Sequence, residues 1–466
     1  MAKQKAIQDF NLIYWIFRPL VCWGAICHYN SFTVRGKENL PKEGGYMLAP
    51  CHQQALMEPL AVLSVVRKNP VFLARADIFA QPTIRKILTF LKIMPVYRIR
   101  DGKESLSKNA EIFEKSRSVV LGGYPFCMMA EGRHNDKHQL LPLVKGMFRI
   151  AGETQRSLGS TPLYILPTGI DFDEYEEPYA NLCINIGEPI PVQQFMETFE
   201  TNEPVALNQM RDVISAGMSR QMHDIKSKAH YEEHLTLSNI LNKEERKKEH
   251  LRNSAFNRFL TRQKIARKLD EMESNEDANH PVLMEKTAQY RSLCKKSKVS
   301  EKTESAQWNK FHMALSLLIV CLFAYAFITC APVRWATLFI LACFPMMVLP
   351  THLLVPKFIK DTQFRSSINY GIRFFVSIIY TLIFAAVMGI TQGGAWHDIF
   401  PNLHGFWWWL AAFDIPLVMA YFNGPLNTWL KNFWRNLRFF YRRPFIHKSA
   451  REMKELRKEI YAIYNK

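Results

Sequence analysis

From residue 31 to about residue 190, short apolar runs alternate with stretches of helical spacing. Phe32-Thr33-Val34-Arg35-Gly36 reads as a strand, residues 39–45 as a turn and Tyr46-Met47-Leu48-Ala49-Pro50 as a second strand, because each run is short, without helical period, and bounded by Gly, Pro or Asn. The spacing then predicts a helix over Leu56–Val66, a strand over Val71–Ala74, a helix over Pro82–Leu91 with proline in its first turn, and a strand over Ile93–Tyr97. Ser105–Ser116 is helical in period, Phe126–Ala130 a strand and Leu141–Arg156 a helix; Leu163–Pro167 and Leu182–Ile186 are two closing strands. Such alternation implies an α/β domain, a mixed or parallel sheet covered by helices, with ligands gathered at the strand ends.

The flanks follow other patterns. Residues 6–29 are apolar and aromatic on most sides, with Arg18-Pro19 in the middle. A run with a central arginine lies better in the membrane interface, its guanidinium snorkelling to headgroups, than across the bilayer; a buried core helix is the other solution. Residues 201–309 hold few strand signals and runs such as Lys243-Glu244-Glu245-Arg246-Lys247-Lys248-Glu249, the pattern of a solvated helical linker.

Beyond it, Phe311–Ala331 and Trp335–Leu354 each carry about 20 mostly apolar residues, enough to cross the hydrocarbon, and Phe374–Thr391 and Phe406–Phe422 are shorter third and fourth spans. Basic residues crowd the stretch before Phe311, the loop carrying Lys357, Lys360, Arg365 and Arg373, and the tail from Lys431 to Lys448, whereas the connection after Ala331 has only Arg334 and residues 392–404 have none. This alternation fits four spans with both termini in the cytoplasm, Trp407-Trp408-Trp409 forming an interfacial belt. Asp414, beside Pro416, reads as a partner for backbone groups freed at a helix break, and His352 as a span-end residue, rather than as an ion path. The chain divides into a membrane-associated helix (1–30), the α/β domain (31–200), a charged helical linker (201–309), an all-α region of four transmembrane helices (310–430) and a basic cytoplasmic tail (431–466).

Composition sharpens this division. With 466 residues, 48% of them apolar and 13% aromatic, the chain has room for two or three domains and a packed core, which excludes disorder of the whole. A formal charge of +18 calls for an anionic partner: nucleic acid, an anionic leaflet, or phosphorylated substrates such as coenzyme A esters. Membrane topology accounts for the basic residues, and acids interleave with them, so nucleic acid is set aside. The nine cysteines are odd in number, scattered and without a CxxC pair for zinc or redox work, and read as reduced core residues of a cytosol-facing protein. Because Arg18 interrupts the first apolar run, a secretory signal is not expected.

Four pieces carry the candidate chemistry. His52 and Glu58 follow the second strand; an imidazole is the usual general base at neutral pH, and a carboxylate on its far nitrogen fixes the tautomer. Arg98 and Arg100 follow the strand at 93–97 and suit bidentate phosphate binding. Glu131, Gly132, Arg133 and His134 follow the strand at 126–130, where glycine lets backbone approach a ligand. Lys145-Gly146 opens a helical run, and Ile165-Leu166-Pro167-Thr168-Gly169 lies at a later strand end.

In order and spacing these pieces resemble the glycerolipid acyltransferase family, which includes lysophosphatidic acid and glycerol-3-phosphate acyltransferases, over roughly residues 10–190. Asn39-Leu40-Pro41 before a strand, then His52-Gln53-Gln54 through Glu58-Pro59-Leu60, is similar to the family's first motif of histidine, four residues and aspartate. Arg98 falls on the second motif's phosphate-binding arginine, Glu131-Gly132 on the third and Leu166-Pro167 on the fourth. The sequence departs in two ways: five residues separate His52 from a glutamate, not four from an aspartate, and Arg133 stands two residues after Glu131, with His134 in the arginine's usual place. The C-terminal spans lie outside the family core.

The resemblance implies an α/β acyltransferase domain; with the four spans and the distribution of basic residues, the chain is expected to be an integral multi-pass membrane protein with its catalytic domain and both termini cytoplasmic. An acyl thioester of coenzyme A or acyl carrier protein would be co-substrate, with no bound cofactor and no metal, and the acceptor would be glycerol 3-phosphate or 1-acylglycerol 3-phosphate. His52 would take the hydroxyl proton, Glu58 would orient it, and Arg98, Arg100, Glu131, Gly132, Arg133, His134 and Lys145 would bind the acceptor. Cys51, beside the base, leaves a covalent route open. The other readings are an O-acyltransferase for a phosphate-free acceptor such as a lyso-aminolipid, and a non-enzymatic membrane scaffold using residues 201–309.

Overall fold

A computed structural model describes residues 6–97, 103–175, 180–298, 447–466 and parts of 314–382. Arg98, Arg100 and nearly all of the four expected spans lie outside the described residues; where the first and third spans are described, they are helical. Among the described residues no helix is long and apolar enough to cross a membrane. The chain divides into two units, one of residues 1–26, 31–175 and 181–226, the other of residues 27–30, 176–180 and 227–466.

In the first unit, α1 (Leu12–His28) precedes β1 (Ser31–Arg35), β2 (Tyr46–Pro50), α2 (Met57–Val65), β3 (Val71–Arg75), α3 (Pro82–Phe90), β4 (Ile93–Val96), α4 (Lys103–Leu121), β5 (Phe126–Cys127), α5 (Gly146–Leu158), β6 (Tyr164–Phe172), β7 (Asn181–Ile186), β8 (Ile190–Pro191), α6 (Met196–Thr201) and α7 (Glu203–Gln221). The strands make one sheet in the order β1-β7-β6-β2-β5-β3-β4, with β8 on β6. All pairings are parallel except those of β6 with β7 and with β8. The mixed sheet expected from the alternation is therefore present. Strand β2 lies between β6 and β5, buried along its whole length, which is why it is apolar without alternation.

Parallel pairing brings the C-terminal ends of β2, β5, β3 and β4 to one edge of the sheet, so the segments that follow them, at His52, Glu131 and Tyr97, leave from that edge. Helix α7 packs on β6 and β2, and its end approaches the sheet so closely that a Cβ on Gly169 would stand 2.0 Å from the Gln221 carbonyl oxygen. The domain thus runs past residue 200, because β6 needs α7 as a cover.

Two expectations are corrected here. Leu141–Lys145 is not helical: α5 starts at Gly146, because Leu141 and Val144 spend their N–H groups on Glu131 and on the Ala130 carbonyl. Arg18 does not reach outward from α1. Its guanidinium donates to the carbonyls of Leu63, Val66 and Arg67 and to Asn69 Oδ1, capping the C-terminal end of α2, where unpaired carbonyls and the helix dipole favour a cation. The apolar side chains of Leu12, Ile13, Trp15, Ile16, Phe17, Leu20 and Trp23 stay exposed.

The second unit holds α8 (Tyr231–Ile240), α9 (Asn242–Lys248), α10 (Ala255–Ser274), α11 (Asn279–Ser297) and α12 (His447–Tyr464). Where a solvated linker is expected, these helices bury a core that includes Leu237, Ile265, Leu269, Leu283 and Tyr290, closed by Met453, Ile460 and Tyr464 of α12. The charges that dominate the sequence occupy the outer faces, and Lys286 pairs with Glu459 across α11 and α12 at 2.6 Å.

Candidate active site

Strand β2 ends at Pro50 and delivers His52 to the sheet edge, where it is 15% exposed. Glu58, in the first turn of α2, is fully buried and turned back on the same loop. One of its oxygens, Oε1, accepts the N–H groups of Gln53, at 2.8 Å, and Gln54; Oε2 lies 3.5 Å from Nδ1 of His52. The carboxylate thus holds the loop through Oε1 and presents Oε2 to the ring's Nδ1 without a hydrogen bond to it, leaving Nε2 as the nitrogen for a ligand. The additional residue between histidine and carboxylate is taken up by the tight turn Gln54–Met57, closed by a 2.8 Å bond from the Met57 N–H to the Gln54 carbonyl, with Ala55 at φ 20°.

Glu131 follows β5 and is 3% exposed. Its Oε1 accepts the His52 N–H at 2.6 Å and its Oε2 the Leu141 N–H at 2.9 Å. Burial raises its carboxyl to about 8, against the lowering effect of those two donors. With both oxygens engaged by main chain, Glu131 holds the His52 loop in place rather than facing a ligand. Gly132 adopts φ 66° with Val144 directly over it: a Cβ there would lie 3.0 Å from Val144 Cγ1. That contact seats the start of α5, and Lys145 at its cap, beside the turn. His134 stacks edge-on against His52 at 5.3 Å between centroids, and the His52 carbonyl accepts the Asn135 N–H. Arg133 and Lys145 are exposed.

The sheet edge therefore assembles His52, Glu58, Glu131, Gly132 and His134 from the residues that the sequence singles out. Cys51 points the other way. Its thiol is buried, donates to the Ile170 carbonyl and accepts the Ile170 N–H, and burial raises its pKa well above the ordinary thiol value, so it supplies no thiolate to the site.

A polar layer beneath the loop had no sequence signal beyond isolated residues. Gln53 donates to the Lys137 carbonyl, Gln54 to the Tyr175 carbonyl, and His138 contacts both the Tyr175 hydroxyl, at 2.9 Å, and Asp171, at 3.3 Å, with His223 stacked on it. His138, Asp171 and His223 bring ligand-type atoms within 4.8 Å of one another. The adjacent Gln53-Gln54 pair was the only hint that the loop is held by amides.

Residues 31–171 match the family model described as Acyltransferase. The chain carries an acyltransferase domain. The match covers strands β1 to β5, nearly all of β6 and both carboxylates at the sheet edge, which makes the strand-end cluster the acyltransferase's candidate active site. The resemblance read from the motifs is borne out at this level. A solved structure similar to the acyltransferase is that of the 1-acyl-sn-glycerophosphate (LPA) acyltransferase PlsC from Thermotoga maritima, at 20% identity and a TM-score of 0.32, covering 44% of this chain and 79% of that one. No curated protein matches the chain.

Proposed function

We propose that this acyltransferase moves a fatty acyl group from a thioester of coenzyme A or acyl carrier protein to the hydroxyl of glycerol 3-phosphate or 1-acylglycerol 3-phosphate. The observation that carries this reading is Nδ1 of His52 facing the buried Glu58 carboxylate at 3.5 Å. Held so, Nε2 takes the acceptor's hydroxyl proton as its oxygen attacks the thioester carbonyl, and Glu58 stabilises the imidazolium. The tetrahedral oxyanion is met by loop N–H groups, and its collapse breaks the C–S bond; the imidazolium returns its proton to the departing thiolate. No acyl-enzyme is required, in keeping with the inward, protonated Cys51.

The acceptor phosphate would be held by Arg98 and Arg100, which come after β4 in the sequence, and by the N-terminal end of α5, where Lys145 sits beside the Gly132 turn. Arg133 is exposed on the adjoining loop and adds positive charge there.

We infer further that the enzyme is an integral membrane protein with cytoplasmic catalytic domain and termini. The exposed apolar face of α1, with Ile84 and Ile87 exposed on α3, suits a lipid surface. Helices α11 and α12, which flank the four apolar stretches in sequence, pack together. A chain whose flanking helices pack together on one side of a bilayer crosses it an even number of times in between, which the four apolar stretches satisfy. Incubating the purified full chain with labelled acyl-coenzyme A or acyl carrier protein and a panel of glycerol 3-phosphate, 1-acylglycerol 3-phosphate and lyso-aminolipids tests the reading: acylated product from a phosphate acceptor is expected, and product from the phosphate-free acceptors alone overturns it.

A further inference from the structure

Three helices of the second unit converge on a group of imidazoles and carboxylates that the acyl-transfer chemistry does not use. His234, on α8, is fully buried, and its Nε2 faces Nε2 of His280, on α11, at 3.0 Å. Glu273, near the end of α10, has its Oε2 4.0 Å from the same nitrogen of His234. His234, Glu273 and His280 thus converge with one ligand-type atom each.

The surroundings are arranged as those of metal ligands are. Nδ1 of His234 lies 3.3 Å from Oδ1 of Asp270, one turn before Glu273 on α10, a neighbour that favours the ring's proton on Nδ1 and the lone pair on Nε2 without a formed hydrogen bond. The Ser227 hydroxyl donates to Oε1 of Glu273 at 3.1 Å and so orients the carboxylate with Oε2 toward the histidines. The Ser227 hydroxyl is itself fixed by the His230 N–H. A divalent ion about 2.0–2.1 Å from two imidazole nitrogens, at an angle between about 90° and 109°, requires those nitrogens about 2.9–3.3 Å apart. The observed 3.0 Å meets that condition, and a rotation of the half-exposed Glu273 side chain brings its oxygen to the third corner.

We propose that His234, His280 and Glu273 bind one divalent transition-metal ion of the zinc class, which clips α8, α10 and α11 together. Two imidazoles and one carboxylate favour such an ion over magnesium or calcium, which take oxygen ligands. Three protein ligands leave the fourth position to water, on the side where Glu273 reaches solvent. The ion binds the folded unit and not the separated helices, so it raises the unit's thermal stability as its concentration exceeds its dissociation constant.

The test is titration of the full chain in detergent with Co²⁺, after chelator treatment and removal of the chelator, followed by visible absorption and by competition with Zn²⁺ and Mg²⁺. Expected are Co²⁺ d–d bands saturating with a site that Zn²⁺ displaces and Mg²⁺ does not, and a Tm that rises with Zn²⁺. His280→Ala should abolish the site. Glu273→Gln, at a half-exposed position that leaves the metal-free fold intact, should weaken it at least tenfold, which keeps the proposal testable should His280→Ala fail to fold. No displaceable Co²⁺ site at micromolar metal, or one whose affinity is unchanged in Glu273→Gln, overturns the proposal; in the second case the bound ion belongs elsewhere in the chain.

Discussion

Glu131 accepts the backbone N–H of His52 at 2.6 Å, so the loop bearing His52 hangs on a buried carboxylate whose two oxygens are both engaged by main chain. Glu131→Ala should therefore act on turnover: a fall in kcat of roughly 100-fold with the acceptor KM little changed, as expected when a base is displaced by about an ångström. Steady-state kinetics with varied acceptor check this; a rise in acceptor KM at unchanged kcat would return Glu131 to the acceptor-binding role.

The same residue predicts a pH dependence of stability. Its carboxyl ordinarily titrates near 4.5 and is raised by burial to about 8 in the folded protein. Between those values the folded state holds a proton that the unfolded state has lost, so stability falls as pH rises through that window and levels off above it. Tm measured from pH 5 to 9 should decline less steeply in Glu131→Gln than in the wild type.

Arg18 anchors α1 to the end of α2 through four acceptors. Arg18→Ala should cost about 2 kcal/mol of stability, the scale for hydrogen bonds to a charged group, and Arg18→Lys should recover only part of it because an ammonium cannot span the same fork. Chemical denaturation of the two variants measures the difference.

How far the chain could be read in advance followed from local chemistry. Strand β2 and the turn carrying His52 were legible because a buried parallel strand is apolar throughout and its end is marked by Pro50. Leu141–Lys145 was not, because its apolar positions repeat as a helix would while their N–H groups go to Glu131 and Ala130, partners close in space only once β5 has formed. Arg18 was read by its apolar neighbours, whereas its acceptors lie some 45 to 51 residues away. The core of the second unit was hidden by the charges on its outer faces, and Leu237, Leu269 and Tyr290 find their cover partly in α12, far along the chain. His234 and His280 carry no spacing signal, since α8 and α11 are brought together only by that core.

The proposed four crossings between α11 and α12 have their own consequence. A cysteine introduced as Asn402→Cys, in the segment without Lys or Arg, should react with a membrane-impermeant maleimide only from the side opposite to one introduced as Lys466→Cys. Labelling of both from the same side would contradict the four-span arrangement.

The proposed role of His52, set beside Glu58, is that of the base of acyl transfer. It is tested most directly by comparing wild type and His52→Ala for transfer of a labelled acyl group from acyl-coenzyme A to 1-acylglycerol 3-phosphate and glycerol 3-phosphate, with matching Tm values as the check on folding. The account expects the variant to lose at least ~100-fold in rate. A folded His52→Ala protein that keeps most of the wild-type rate would contradict it.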